Sequence, residues 1–203
     1  MHRFQKRLLS ACLAAWAACG ATAFAQAPEA PAPEAPEAAT PAPDRAARLD
    51  ALYAELAEPG RADADRVEAD IQRLWGQSGS PAMDLLLRRA QDAIAAQDLN
   101  AALDHLNAAI DHDPGFAEAW NVRGSVFYLL NEYALALNDI EHVLALEPRH
   151  FGAMEGLAII FVETEHPDLA LRVVERARAV NPNRESLKET EARLERDLGA
   201  SDL

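Results

Sequence analysis

The sequence predicts an all-α fold, an array of antiparallel helix hairpins stacked as a solenoid and closed by capping helices at both ends. Three observations carry this. Apolar residues recur at helical spacing from residue 44 onward. A unit of 34 residues occurs three times, with a proline in the same register each time, as Pro114, Pro148 and Pro182. Small residues stand at two fixed positions in every unit, where a pair of helices can approach closely.

The first stretch, MHRFQKRLLSACLAAWAACGATAFAQA, has a basic start (Arg3, Lys6, Arg7), an apolar run from Leu8 to Ala18, and an A-x-A site at Ala23-Phe24-Ala25. This is the pattern of a secretory signal peptide over residues 1–25, cleaved before Gln26. Two other processings compete with it. One is a retained inner-membrane anchor, for which the run is short against the ~20 residues of a spanning helix. The other is a lipoprotein, because Leu9-Ser10-Ala11-Cys12 resembles a lipobox, although it follows the charged start closely. Cleavage would place the protein in the periplasm, with no membrane contact of its own. It would also remove Cys12 and Cys19, the 2 cysteines, and with them any disulfide, thiol nucleophile or cysteine metal site. Losing three bases takes the basic count from 19 to 16 against 33 acidic residues, a formal charge of −17. Nucleic acid is a poor partner for such a chain, since phosphates call for clustered Lys and Arg. Anionic lipid is equally disfavoured, whereas a basic protein partner is favoured.

Residues 26–43 form a Pro/Ala/Glu-rich linker. Its 28–43 portion holds six prolines and no aliphatic side chain larger than alanine, so it cannot build a core and favours polyproline II. At ~3.1 Å per residue it could reach about 50 Å as a spacer. Residues 44–80 then read as a divergent helical hairpin serving as N-terminal cap. Leu49, Leu52, Tyr53 and Leu56 share one helix face before Pro59-Gly60. Val67, Ile71, Leu74 and Trp75 share a second before Gly76. Ser80 is placed as the next N-cap, with Pro81 at the first helical position.

The three units span 83–116, 117–150 and 151–184. Counting within each, the fourth residue is Leu86, Trp120 or Met154 and the eighth is Ala90, Gly124 or Ala158. The twentieth is Ala102, Ala136 or Ala170, and the twenty-fourth is Leu106, Ile140 or Val174. Small residues at eight and twenty let two helices cross, while large apolar residues at four and twenty-four fill the space beside the crossing. The proline at thirty-two ends the second helix and redirects the chain. A lone hairpin leaves an apolar face exposed, so neighbours must stack. Residues 185–203 supply a C-terminal capping helix and tail, with Leu187, Leu194 and Leu198 inward and charges elsewhere.

This pattern resembles the tetratricopeptide repeat (TPR) family, with the middle unit carrying it best through Trp120, Gly124, Phe127, Ala136, Ile140 and Pro148. The resemblance implies a right-handed solenoid and an exported bacterial protein that assembles or scaffolds other proteins in the cell envelope. The chain departs from the family pattern at Arg89 and Arg123, which replace the leucine at position seven, at Ala93 in place of the aromatic at eleven, and at Pro167 at seventeen. These departures are expected to weaken individual contacts without shifting the register.

Catalytic apparatus is not visible. The chain has no H-E-x-x-H, no G-x-S-x-G and no glycine-rich phosphate loop, so an enzyme and a cofactor are not expected. His105 and His112 lie seven apart on one helix, and Asp111-His112-Asp113 superficially resembles a metal triplet. Adjacent helical residues diverge, however, and no metal is expected there. Trp120 and Trp75 are read as packing residues.

What remains is a binding surface. The resemblance implies that positions two, five, nine, twelve and thirteen of each first helix line a concave groove. In the first unit these are Asp84, Leu87, Gln91, Ile94 and Ala95. The second contributes Glu118, Asn121, Ser125, Tyr128 and Leu129, and the third Gly152, Glu155, Ile159, Val162 and Glu163. The set mixes acidic and apolar side chains, which would suit a partner segment with basic residues between apolar anchors. Ile159 and Val162 would equally suit packing on a neighbouring helix. The carboxylate clamp of chaperone-binding members, lysine at five with asparagine at nine, is absent, which disfavours a C-terminal carboxylate ligand. The sequence is therefore read as a non-catalytic interaction scaffold of the envelope. Two alternatives stand beside it: a structural homo-oligomer formed through the array, and an accessory subunit of an envelope enzyme complex.

Overall fold

The structure is a computed structural model, and it describes residues 44–201. The expected signal peptide (1–25) and the Pro-rich linker (26–43) lie outside the described residues. Among the described residues all regular secondary structure is helical, in line with the predicted all-α array. Three hairpins follow one another: α3 (Pro81–Ala95) with α4 (Leu99–His112), α5 (Ala117–Leu129) with α6 (Tyr133–Leu146), and α7 (Phe151–Glu163) with α8 (Pro167–Val180). Ahead of them stand α1 (Arg45–Leu56) and α2 (Ala64–Trp75), and α9 (Glu185–Ser201) follows.

The turns repeat as closely as the helices do. Within each hairpin the residue at position fifteen, Gln97, Asn131 or Glu165, adopts the left-handed conformation with φ of 61°, 61° and 62°. Paired backbone bonds enclose each one. Gln97 N–H donates to Ile94 O and Asp98 N–H to Ala93 O, and the same pair recurs at Asn131/Glu132 and Glu165/His166. This is a Schellman closure, which satisfies carbonyls that the helix end would otherwise leave open. Between hairpins, Asp113, Glu147 and Asn181 are extended, with ψ of 83°, 88° and 81°. Each precedes a register proline, whose ring forbids the helical conformation to the residue before it. Pro167 fits without strain because it opens α8, where its missing N–H has no intrahelical partner to lose.

The helix crossings are made by the small residues. Ala90, Ala102, Gly124, Ala136, Ala158 and Ala170 are all buried. A Cβ on Gly124 would stand 3.4 Å from both Ala136 O and Asp139 Cβ, so α5 and α6 touch there backbone to backbone. Trp120 is half-buried and packs against the cores of both the first and second repeats. Its indole N–H donates to Pro114 O at 3.0 Å and its ring stacks on His142 at 4.2 Å.

Two sequence expectations need correcting. Arg123 does not leave its contact weak. Its guanidinium holds the buried Asp139 carboxylate through two bonds of 2.8 Å, donates to Asn107, and lies 4.7 Å over the Trp120 ring. The α1–α2 hairpin does not cap the N-terminal face of the first repeat either. Its buried face of Leu49, Tyr53, Leu56, Val67, Ile71, Leu74 and Trp75 shares one core with Phe151, Met154, Val174, Leu187 and Leu194. The first repeat packs in a separate core, shared with α5 and not with α1 or α2. The α1–α2 face presents two aromatic rings, Tyr53 and Trp75, and Trp75 packs on Phe151 and His150 of the third repeat's entry. Polar groups complete the joint. The Asn183 amide donates to Leu56 O and Glu58 O at 2.9 Å and accepts from Gly60 N–H at 2.7 Å. Glu68 accepts from Asn181 and pairs with Arg184. Arg149 pairs with Asp50 and covers the Tyr53 ring at 4.1 Å. Burial, and then the Glu147 charge, push the Tyr53 phenol far above its ordinary pKa.

Candidate binding groove

The face expected to bind is divided by the contacts it already makes. At the N-terminal ends of the first helices it is occupied. Asp84 accepts from the Ser78 N–H at 2.8 Å and from the Ser78 hydroxyl at 2.7 Å. That bond ties down the linker between α2 and α3, while Ser80, the expected N-cap, makes no side-chain cap bond. Leu87 is buried in the first-repeat core, and a Cβ on Gly76 would meet it at 3.9 Å. Glu118 accepts from His150 Nε2 at 3.1 Å and lies 3.3 Å from the Asn121 amide. Glu155 pairs with Arg184 at 2.7 Å and accepts from the Ser186 hydroxyl at 2.9 Å. Three of the four acidic groove residues are therefore engaged inside the protein.

His150 organises this end, and the sequence reading did not single it out. Only 1% of it is exposed. Its Nδ1 accepts the Ala153 N–H at 3.0 Å and so caps α7, which leaves the proton on Nε2 to face Glu118. Its ring stacks on Trp75 at 3.7 Å with an interplanar angle of 13°. A polar residue immediately before the first helical position was the available signal, because side chains there commonly cap the helix. No periodicity marks Trp75 as its partner.

Toward the C-terminal ends of the same helices the surface is open and apolar. Leu129 is 53% exposed, Ile159 43% and Val162 38%, high values for large apolar side chains. A hollow between α5 and α7 is lined by Asn121, Gly124, Ser125, Tyr128, Ile140, Gly152, Gly156, Ile159 and Ile160. A second, between α7 and α9, is lined by Glu155, Ile159, Val162, Glu163, Leu187 and Arg193. Ile159 is the ridge that separates them. The structure thus gathers Asn121, Ser125, Tyr128 and Ile159 at one hollow and Glu155, Ile159, Val162 and Glu163 at the other. Gln91, exposed, and Ile94, half-buried, line neither. Burial, and then the Glu163 charge, raise the Tyr128 phenol above its ordinary pKa.

The chemistry on offer is apolar contact with a polar edge. Among the described residues no group of three His, Cys, Asp or Glu side chains gathers to hold a metal ion. No described helix is long and apolar enough to cross a membrane.

No protein-family model matches the chain. Over 136 residues it is 38% identical to a TPR repeat-containing protein of Rhizobium etli, a match spanning 66% of this chain and 67% of that one. Among solved structures it is similar to the first TPR domain of Spaghetti (RPAP3) bound to an HSP90 peptide. That match has a TM-score of 0.57 at 18% identity and covers 59% of this chain and 98% of that one. The crystal structure of MamA matches with a TM-score of 0.55 at 18% identity, over 70% of this chain and 87% of that one.

Proposed function

The chain belongs to the tetratricopeptide repeat family, and from that premise we propose that it is a non-catalytic scaffold of the cell envelope that holds a partner protein segment in its concave groove. TPR proteins generally serve in protein–protein interaction. The observation that carries the reading for this chain is the exposed apolar pair Ile159 and Val162 beside two hollows, on the face where Asp84, Glu118 and Glu155 are already engaged. Contiguous exposed apolar surface with a polar rim marks interaction sites. The Spaghetti domain holds an HSP90 peptide, but a ligand of that kind is not proposed here. Positions five and nine are Leu87/Gln91, Asn121/Ser125 and Glu155/Ile159, with no lysine to receive a terminal carboxylate.

The envelope location rests on the signal-peptide pattern of residues 1–25, with periplasmic release after Ala25. An intact mass beginning at Gln26 supports it, and retention of Cys12 or Cys19 moves the protein to a membrane. Binding is tested by affinity capture from envelope extract with the wild-type chain and with Ile159→Asp/Val162→Asp. Both sites are exposed, so the variant should keep its helical circular dichroism and lose the captured partner. Capture that is unchanged removes the groove from consideration. Sedimentation of the purified chain decides the homo-oligomer alternative, which requires self-association without any partner.

A further inference from the structure

We propose that the hollow between α5 and α7 is the anchor pocket of this groove. It takes one apolar side chain of a partner segment whose following residues are basic and run toward the α5–α6 and α7–α8 turns. The inference rests on the groove being a binding surface, and it adds where the segment is anchored, in which direction it runs and what chemistry it has.

Three glycines, Gly124, Gly152 and Gly156, line the pocket beside Tyr128, Ile140 and Ile159. These glycines are not equivalent. A Cβ on Gly124 would stand 3.4 Å from Ala136 O and Asp139 Cβ at the α5–α6 crossing, and one on Gly152 would stand 3.5 Å from the His150 ring. At Gly156 a Cβ would meet only Ile140 Cδ1, at an ordinary 3.8 Å. Packing therefore does not demand glycine at 156, and glycine weakens a helix interior relative to alanine. The second repeat carries Val122 at the same position. The volume left empty over Gly156 is unused by the fold and opens on the same face as the exposed Ile159.

Direction follows from the two ends of the groove. Trp75 closes one, its Cζ3 lying 4.0 Å from where a Gly152 Cβ would sit. The other carries Glu163, which lines the second hollow together with Arg193, and Glu132 and Glu165 in the turns. Among the described residues none of these three has an ion pair, whereas Glu118 and Glu155 are already paired. A basic side chain arriving there finds carboxylates that no arginine of this chain has taken. A second copy is the wrong occupant, because a chain with a formal charge of −14 would bring like charge to an acidic rim. Apolar contact in the pocket would supply most of the affinity, and the charges would set partner choice and encounter rate.

The test is to pan a displayed library of random 12-residue peptides against the full chain and measure the enriched peptides by fluorescence anisotropy. Enrichment of Leu, Ile, Met or Phe followed within a few residues by Lys or Arg is the expected result. Gly156→Leu, which fills the pocket, should weaken these peptides at least tenfold. Glu163→Gln with Glu132→Gln should weaken them a few-fold and flatten the salt dependence of association, since exposed charges act over ~8 Å at physiological ionic strength. If Gly156→Leu fails to fold, Gly156→Ala serves instead: its thermal midpoint should equal or exceed wild type while affinity falls. Enriched peptides that are acidic or lack an apolar anchor overturn the proposal, as does a panel that yields no binder. If Gly156→Leu binds normally while Ile159→Asp does not, the anchor pocket is wrong and the groove stands. If neither substitution matters, both readings fall.

Discussion

Asp139 is 1% exposed, and Arg123 is what makes its burial tolerable. The guanidinium satisfies both carboxylate oxygens at 2.8 Å and still spreads over Trp120, so it replaces a position-seven leucine in packing as well as supplying charge. In the third repeat the corresponding positions are Leu157 and Val173, both apolar and half-buried. A buried ion pair and a hydrophobic pair are often similar in net stability, while half of an ion pair is costly. Arg123→Leu alone should therefore lower stability by ~3–5 kcal/mol, and Arg123→Leu with Asp139→Val should recover most of that loss. Urea unfolding of the wild type, both single variants and the double variant measures the coupling directly. A double variant as weak as Arg123→Leu would show that the pair does more than fill a position. Sequence reading saw the substitution at position seven but not its meaning, because the answering aspartate lies 16 positions away on the other helix of the hairpin.

The helices and turns of the repeats were legible because each is written three times. Proline at thirty-two sets the extended residue before it, and small residues at eight and twenty set the crossing. The left-handed residue at fifteen was not legible, since Gln97 and Glu165 are not residues that announce positive φ. The conformation is imposed by the Schellman bonds around it, and a non-glycine residue pays for it in strain. Gln97→Gly and Glu165→Gly should each stabilise the chain by about 0.5–1 kcal/mol, the relief of strain exceeding the added freedom of the unfolded chain. Asn131→Gly should change little, because asparagine already tolerates this region. Thermal midpoints of the three variants form the comparison, and a fall at Gln97 or Glu165 would mean that those side chains contribute contacts outweighing the strain.

At the scale of the whole described unit, the repeats define a register and the α1–α2 hairpin lies outside it. Its partners are 99 and 123 positions away, at Arg149 and Asn183, and no periodicity relates a non-repeating face to its seat. The face itself could be read from Leu49, Tyr53, Val67 and Ile71. Its destination could not. The placement links the third repeat to the start of the folded chain and leaves the first repeat with a core built without α1 or α2. Trp75 is the centre of that link, stacked on His150, tilted on Phe151 at 4.8 Å, and donating its indole N–H to the Tyr53 hydroxyl at 3.2 Å. Truncating a buried tryptophan costs ~3–5 kcal/mol, and the loss should appear where the side chain packs. In Trp75→Ala, amide exchange should therefore rise together in α1, α2 and the first turns of α7. Amides of α3 and α4, whose core contains neither Trp75 nor its partners, should keep their protection. A hairpin seated on the first repeat would give the opposite pattern, with α3 and α4 deprotected first. Hydrogen-exchange mass spectrometry of the variant separates the two, and loss concentrated in α3 and α4 would place the hairpin back at the N-terminal end of the array.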